Sequence, residues 1–212
     1  MPAMITVHGF PMSPNTRRVL VALEEAGESY ELAPVDLMTG AHKGEEYRAL
    51  NPTARVPTVV VPREDFSGSE DLVLWESNAV LAWLGERHPD RLWTGKTPEE
   101  RAEVLRWMFM NAAHLSPAVA RIFAHTLRLP PEQRIAQIVT DSRAEVERSL
   151  VALEQRLREH EYLAGRFGIA DLSVALTLAA APMLGISLAA HPSVAGWMAR
   201  MEARPAWKKV HG

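Results

Sequence analysis

The chain of 212 residues contains no cysteine. That excludes disulfides, thiolate-held zinc, and catalysis through a cysteine nucleophile or a CxxC redox pair. Only three tyrosines are present, Tyr30, Tyr47 and Tyr162, and none stands near the first apolar run. Lys and Arg number 23 against 26 Asp and Glu, a formal charge of −3, with no dense basic patch. Nucleic acid and membrane surfaces are therefore not expected partners. The eight histidines are scattered, with no HExxH and no pair at helical spacing, so no metal is expected. No basic stretch followed by a long apolar run opens the chain, and no signal peptide is expected. The longest apolar stretch, Leu172 to Ala190, nearly reaches the length of a membrane span. It holds Ser173, Thr177, Pro182, Gly185 and Ser187, with Asp171 at its edge, which fits a helix buried in a helical domain. A soluble, cytoplasmic protein is expected.

What is present is ample apolar material, 47% of residues, enough for one large domain or two modest ones. Residues 4–8 and 29–35 read as strands, and between them Val19, Leu20, Leu23 and Ala26 recur at helical spacing before Gly27. This is a βαβ unit with parallel strands. A short irregular helix over 43–50 stops at Asn51-Pro52. Val56 to Val61 and Asp71 to Leu74 suit an antiparallel hairpin around a polar turn containing Gly68. A helix from Glu76-Ser77-Asn78 to about Arg87 completes the order β-α-β-α-β-β-α.

Beyond a connection over 89–96 the strand signals vanish. Thr97-Pro98-Glu99-Glu100 is a capped helix start, and Leu105, Met108, Ala112 and Leu115 continue it until Pro117, which is expected to kink or end it. Further helices are expected at about 132–159, 169–182 and 192–203, with a short one after Pro205. The fold class is thus α/β followed by all-α: an N-terminal domain over 1–88, a linker over 89–96 and an all-helical domain over 97–212.

Val7 to Arg18 is where strand gives way to loop and then helix. Such a junction gathers backbone N–H groups and a partial positive charge. Ser13, followed by Pro14, taken alone reads as a plain helix cap, with a functional hydroxyl as the alternative.

The element order resembles the cytosolic glutathione transferases over essentially the whole chain, and its details resemble the serine-type, phi-like group. The resemblance is carried by Ser13 with Thr16 to Leu20, Glu24-Glu25-Ala26-Gly27, Ala41-His42-Lys43, Asn51-Pro52, Val56-Pro57 and Glu76-Ser77. It implies a thioredoxin-like N-terminal domain with a mixed four-stranded sheet, glutathione as co-substrate and a homodimer. It further implies that Val56 pairs its backbone with the cysteinyl unit through a cis Val56-Pro57 bond. Glu76 and Ser77 would hold the γ-glutamyl end; taken alone they read as a helix start with a capping Ser77. His42 and Lys43 would neutralise the glycyl carboxylate; taken alone they read as a solvated loop. Arg55 stands where phi-like members usually carry Gln and is itself suited to a carboxylate.

On the same resemblance, Ser13 donates a hydrogen bond to the bound thiolate. Lowering a thiol from its ordinary pKa of about 8.5 by about two units requires roughly 2.7 kcal/mol. One hydrogen bond to a charged acceptor contributes about 1.5–3 kcal/mol and a helix N-terminus up to about 1. The second substrate is expected among Phe10, Met12, Met108, Asn111, His114 and Leu115, residues that equally suit a plain core; an apolar pocket suits hydrophobic electrophiles. Peroxide reduction, dehalogenation and isomerisation are alternatives on the same site, and a non-catalytic binding protein is the alternative of another class. Gly168-Ile169-Ala170-Asp171 resembles the family's helix-capping box, with Gly168 in place of Ser or Thr and Asp171 in a structural role. Thr53 stands where phi-like members place an aromatic key to the partner subunit.

Overall fold

Alternation along the first strand decides the inner layer: Ile5, Val7 and Gly9 turn inward from β1 (Ile5–Gly9), while Thr6 and His8 stay partly exposed. The computed structural model describes residues 4–65 and 70–212, so the expected turn around Gly68 lies outside the described residues. β1 pairs in parallel with β2 (Tyr30–Pro34), Ile5 opposite Tyr30, and antiparallel with β3 (Thr58–Val61), His8 opposite Thr58. β3 pairs antiparallel with β4 (Leu72–Trp75), giving a mixed sheet in the order β2-β1-β3-β4. This is the thioredoxin-like arrangement expected from the sequence.

The crossover helix α1 (Pro14–Ala26) ends where Gly27 adopts φ 75°, letting the N–H groups of Gly27 and Glu28 bond the last carbonyls. A 3-10 turn at Ala41–Lys43 leads into α2 (Glu45–Leu50). Val19 and Leu23 of α1, with Val80, Leu81 and Leu84 of α3 (Ser77–Arg87), bury against Val7, Val59 and Val61 of the sheet.

The second half is helical. α4 (Pro98–Met110) opens on a reciprocal cap between Thr97 and Glu100. It then runs through a widened π turn at Asn111–Leu115 into α5 (Ser116–Phe123) and a second π turn at Ala124–Arg128. Pro117 therefore neither ends nor breaks this helix. The Ser116 N–H reaches back to the Asn111 carbonyl, and the extra residue in that turn absorbs the proline ring and its missing donor. α6 (Ala136–Leu157) starts later than the sequence suggests, because Pro131–Gln133 forms a 3-10 turn of its own and Arg134 and Ile135 are extended. α7 (Ile169–Leu178) is shorter than expected, and all ten of its residues are buried. α8 (Pro192–Ala203) and α9 (Pro205–His211) follow. Among the described residues no helix is long and apolar enough to cross a membrane.

Asp171 anchors α7. Its carboxylate accepts from the N–H groups of Leu163 at 3.0 Å and Gly168 at 3.1 Å, and from Trp197 Nε1 at 3.0 Å. Burial raises its pKa to about 6, and these donors oppose the rise, so it is ionised at neutral pH. Glycine at 168 has a steric cause, since a Cβ there would stand 2.3 Å from the Trp93 carbonyl oxygen. Farther along, Arg204 clasps Glu25 on α1 through two bonds of 2.6 and 2.8 Å, and Lys209 reaches Glu24 at 2.9 Å. The last helix is thereby tied to the first. Replacing Asp171 with Ala leaves three buried donors unpaired at about 1–3 kcal/mol each. Asp171→Ala is expected to lose at least about 3 kcal/mol of unfolding free energy in a urea titration.

Candidate active site

Two hollows face each other across the start of α1. The smaller, about 50 Å³, is lined by Asn15, Asn51, Thr53, Arg55, Val56, Pro57, Glu76 and Ser77. Its shape comes from a pinned loop. Asn51 is buried; its Nδ2 donates to the Arg55 carbonyl at 2.8 Å and to Thr58 Oγ1 at 3.1 Å, and its Oδ1 accepts from the Thr53 N–H and hydroxyl. Tyr47 donates to the same Arg55 carbonyl at 2.7 Å, and burial pushes its hydroxyl pKa up. The loop enters β3 through a cis Val56-Pro57 bond.

Among the described residues, Ala54 (φ 54°) and Glu76 (φ 66°) alone among non-glycines have positive φ. They sit on the two segments that border this hollow, and such conformations collect at functional sites. Glu76, not Ser77, occupies the cap of α3, and it makes no side-chain capping bond. Ser77 is the first helical residue and is buried.

Arg18 lies behind both hollows, buried within α1. Its guanidinium donates to Asn15 Oδ1, Ser77 Oγ and Thr177 Oγ1, each at 2.8 Å. All three acceptors are neutral. Burial lowers its pKa to about 10, and the charge of Glu76 opposes the fall, so Arg18 remains a cation at neutral pH. The polar seam continues between the halves. Thr177 Oγ1 donates to the Ser173 carbonyl, Ser173 Oγ donates to Asn78 Oδ1 at 2.9 Å, and Asn111 Nδ2 donates to both oxygens of Ser173.

The larger hollow, about 240 Å³, is mostly apolar. Met12, Pro14, Asn15 and Arg18 line it from the start of α1, Ser116, Val119, Ala120 and Phe123 from α5, and Thr177, Ala180 and Met183 from α7 and the turn after it. Ser13 is half-buried as the cap of α1 and lines neither hollow itself, although its neighbours Met12 and Pro14 line the apolar one. Its N–H bonds the Phe10 carbonyl at 2.9 Å. Its hydroxyl accepts only a long 3.5 Å contact from the Thr16 N–H, so its own proton stays available to a ligand.

The structure thus brings Arg55, Val56, Pro57, Glu76 and Ser77 into one hollow and Met12 into the other. His42 and Lys43 occupy the neighbouring 3-10 turn, outside both linings. The other expected pocket residues do not line the apolar cavity. Phe10 is half-buried in the loop before Ser13, Met108 and Leu115 are core, Asn111 is committed to Ser173, and His114 faces Glu145 on α6 at 3.7 Å. The π turn shifts the residues that follow it around the helix axis, and the cleft-facing positions there are 116, 119, 120 and 123. Sequence reasoning missed Asn15, Arg18, Tyr47 and Thr177. The signals were a charge at 18 on the inward stripe with Ala22 and Ala26, and a Ser173–Thr177 pair in an otherwise apolar helix. Among the described residues no cluster of three or more His, Asp or Glu is placed to hold a metal ion.

Family models for the N-terminal and C-terminal domains of glutathione S-transferases match residues 12–87 and 106–205. The chain is 32% identical to glutathione S-transferase GstB of Escherichia coli K12, over 98% of this chain and 97% of that one. The chain belongs to the glutathione S-transferase family. It is likewise 33% identical to glutathione S-transferase 4 of Zea mays, over 97% of this chain and 91% of the maize protein. Its fold matches the glutathione transferase URE2P6 from Phanerochaete chrysosporium in complex with oxidised glutathione, at a TM-score of 0.89 and 27% identity, covering 99% of this chain and 96% of that one. For a transferase of this family, the seam through Arg18 joins the two halves on which the site is built. Thr177→Val keeps the side-chain shape and removes one of the three acceptors. It is expected to cost about 1–3 kcal/mol of stability by denaturant titration.

Proposed function

We propose that this transferase conjugates the thiolate of glutathione to small apolar electrophiles, and that Ser13 stabilises the thiolate. The observation that carries the reading is that the polar hollow and the apolar cavity share Asn15, two residues after the half-buried Ser13. A polar co-substrate and an apolar one would meet there.

Each polar residue has a role that its geometry supports. Ser77 Oγ already accepts from Arg18, so its own proton is left for the γ-glutamyl carboxylate, beside the free N–H groups at the start of α3. Arg18 then acts as a positioning residue, with its charge behind that hydroxyl. Glu76 suits the γ-glutamyl ammonium. The N–H and C=O of Val56 take part in none of the described backbone hydrogen bonds, leaving them for the cysteinyl unit. Arg55, with Lys43 and His42 in the adjacent turn, suits the glycyl carboxylate. The Ser13 hydroxyl donates to the sulfur, and the N-terminal dipole of α1 adds to it.

The solved Phanerochaete relative holds oxidised glutathione. In this chain the apolar cavity offers a single charged lining residue, Arg18, already shared among three oxygens. That favours an apolar second substrate over a second tripeptide. Glutathione is then the co-substrate, with no metal. We take residues 1–88 as the glutathione domain, 89–96 as linker and 97–212 as the electrophile domain. The enzyme serves detoxification as a cytoplasmic homodimer, whose contact uses the exposed Val73 and Trp75 of β4 with Leu105 and Phe109 of α4. Thr53 hydrogen-bonds Asn51 rather than offering an aromatic key.

Two measurements test this reading. In Ser13→Ala the bound thiol, followed by thiolate absorbance, is expected to rise by about one to two pKa units. The acid limb of kcat against pH moves up with it, and turnover near neutrality falls about tenfold to a hundredfold. Unchanged values would make Ser13 a cap only, and a parent that neither binds glutathione nor conjugates an aromatic halide would end the transferase reading. In the second measurement, Phe123→Ser is expected to raise KM for an apolar electrophile several-fold, to about tenfold. His114→Ala, on the far side of its helix, leaves KM within about twofold.

A further inference from the structure

The loop that delivers Ser13 has an exposed outer corner, Pro11-Met12. Backbone bonds fix its inner side: the Gly9 carbonyl accepts from the Val35 N–H at 3.0 Å, and the Phe10 carbonyl from the Ser13 N–H at 2.9 Å. The corner lacks such support. Pro11 has no N–H to donate, and among the described residues Arg17 alone hydrogen-bonds the Pro11 carbonyl or the Met12 side chain. Arg17 Nε donates to that carbonyl at 3.1 Å and Nη2 to Met12 Sδ at 3.2 Å. The Arg17 N–H meanwhile donates to the Ser13 carbonyl at 2.9 Å. One residue thus brackets Ser13 from both sides.

No acid draws that guanidinium away. Glu24 and Glu25, farther along α1, are bonded to Lys209 and Arg204. The Arg17 charge bears instead on His211 at the end of α9, whose ring stacks on Trp207 with centroids 4.6 Å apart. His211 Nδ1 lies 3.0 Å from the Trp207 carbonyl, and its Nε2 is buried without a partner. Burial holds the His211 pKa below its usual value, opposed by that carbonyl and helped by Arg17. A neutral ring, not a second cation, therefore stands by Arg17 at neutral pH.

We infer that Arg17 is a positioning residue for the transfer: resting on the transferase reading, it holds the Pro11-Met12 corner so that the Ser13 hydroxyl meets the sulfur at hydrogen-bond distance. Arg17 lines neither hollow, so it acts on the thiolate through Ser13. A hydrogen bond weakens steeply as its length and angle drift, and a reacting group must be held to within about 0.5 Å. A slack corner therefore costs thiolate stabilisation and leaves glutathione binding in place. Two donors in one rigid fork match two fixed acceptors, which a single ammonium does not. The neighbouring arginines of α1 divide their work: Arg18 turns inward to Ser77 and Thr177, Arg17 outward to the loop.

The test is a double-mutant cycle on the full chain, read as bound-thiol pKa by thiolate absorbance and as kcat and KM with an aromatic halide. In Arg17→Met the bound thiol is expected to rise by about half to one pKa unit and kcat near neutrality to fall about threefold to tenfold, with KM for glutathione within about twofold. Arg17→Lys keeps the charge without the fork and recovers only part of that loss. On a Ser13→Ala background, Arg17→Met moves the bound thiol by less than about 0.3 unit, because the group it positions is gone. No change in Arg17→Met overturns the positioning role. So does an equal rise with and without Ser13, or full recovery in Arg17→Lys, either of which assigns the effect to charge alone. Those outcomes leave conjugation by the parent, and the transferase reading, standing. A parent that conjugates nothing ends that reading, and Ser13→Ala with an unchanged thiol ends the role of Ser13; the role of Arg17 falls with either.

Discussion

A guanidinium buried without a carboxylate bonded to it is costly, and the architecture here depends on how that cost is met. Arg18 finds three neutral oxygens, one on its own helix, one at the start of α3 and one on α7. Burying a charge costs several kcal/mol unless it is hydrogen-bonded; the acceptors serve both terminal nitrogens while the buried Nε has no partner, so these three must hold their places. Because they lie on three different helices, satisfying one side chain fixes the mutual position of α1, α3 and α7. The two hollows lie on either side of that fixed point, and their separation is set by it. Ser173 and Asn78 extend the same principle across the two halves, and Asn111 holds Ser173 from within the helical half.

The N-terminal half was legible in the sequence to a larger extent than the helical half. β1, β2 and β3 were visible because their apolar runs end at Gly, Pro or Asn, and α1 because Gly27 closes it. Arg55, Val56, Pro57, Glu76 and Ser77 fall together because they lie on short loops whose place along the sheet follows from strand order. The helical half is different. Helical periodicity predicts which face is apolar, but a single π turn at Asn111–Leu115 shifts every later residue around the axis. Met108 and Asn111, ahead of and at the start of that turn, belong to the core and to Ser173 instead, while His114 turns to Glu145 and Leu115 to the core. Nothing in composition marks a π turn; only Pro117, expected to kink or end the helix, points to irregularity there.

Cap residues show the same limit. Ser77 has the composition of a cap, yet Glu76 takes that position at positive φ and Ser77 is drawn inward to Arg18. A residue 59 places away in the chain decided which side chain turned out and which turned in. Gly168 is the converse case, where a weak cap residue is required because the Trp93 carbonyl leaves no room for a Cβ. In both places local propensity gave way to a contact distant in sequence.

The polar hollow draws all its lining from residues 15 to 77, whereas the apolar cavity takes most of its wall from α5, α7 and the turn beyond. That division makes the molecule a two-part lock in which the wards can be recut separately. Drift along the outer face of one helix retunes what is accepted from outside without touching the polar hollow. An ancestral duplicate could thus change its clientele through a few surface-facing codons, with the Arg18 seam holding register between the parts. Diversification of such a chain is confined to where mutation is least expensive to the fold.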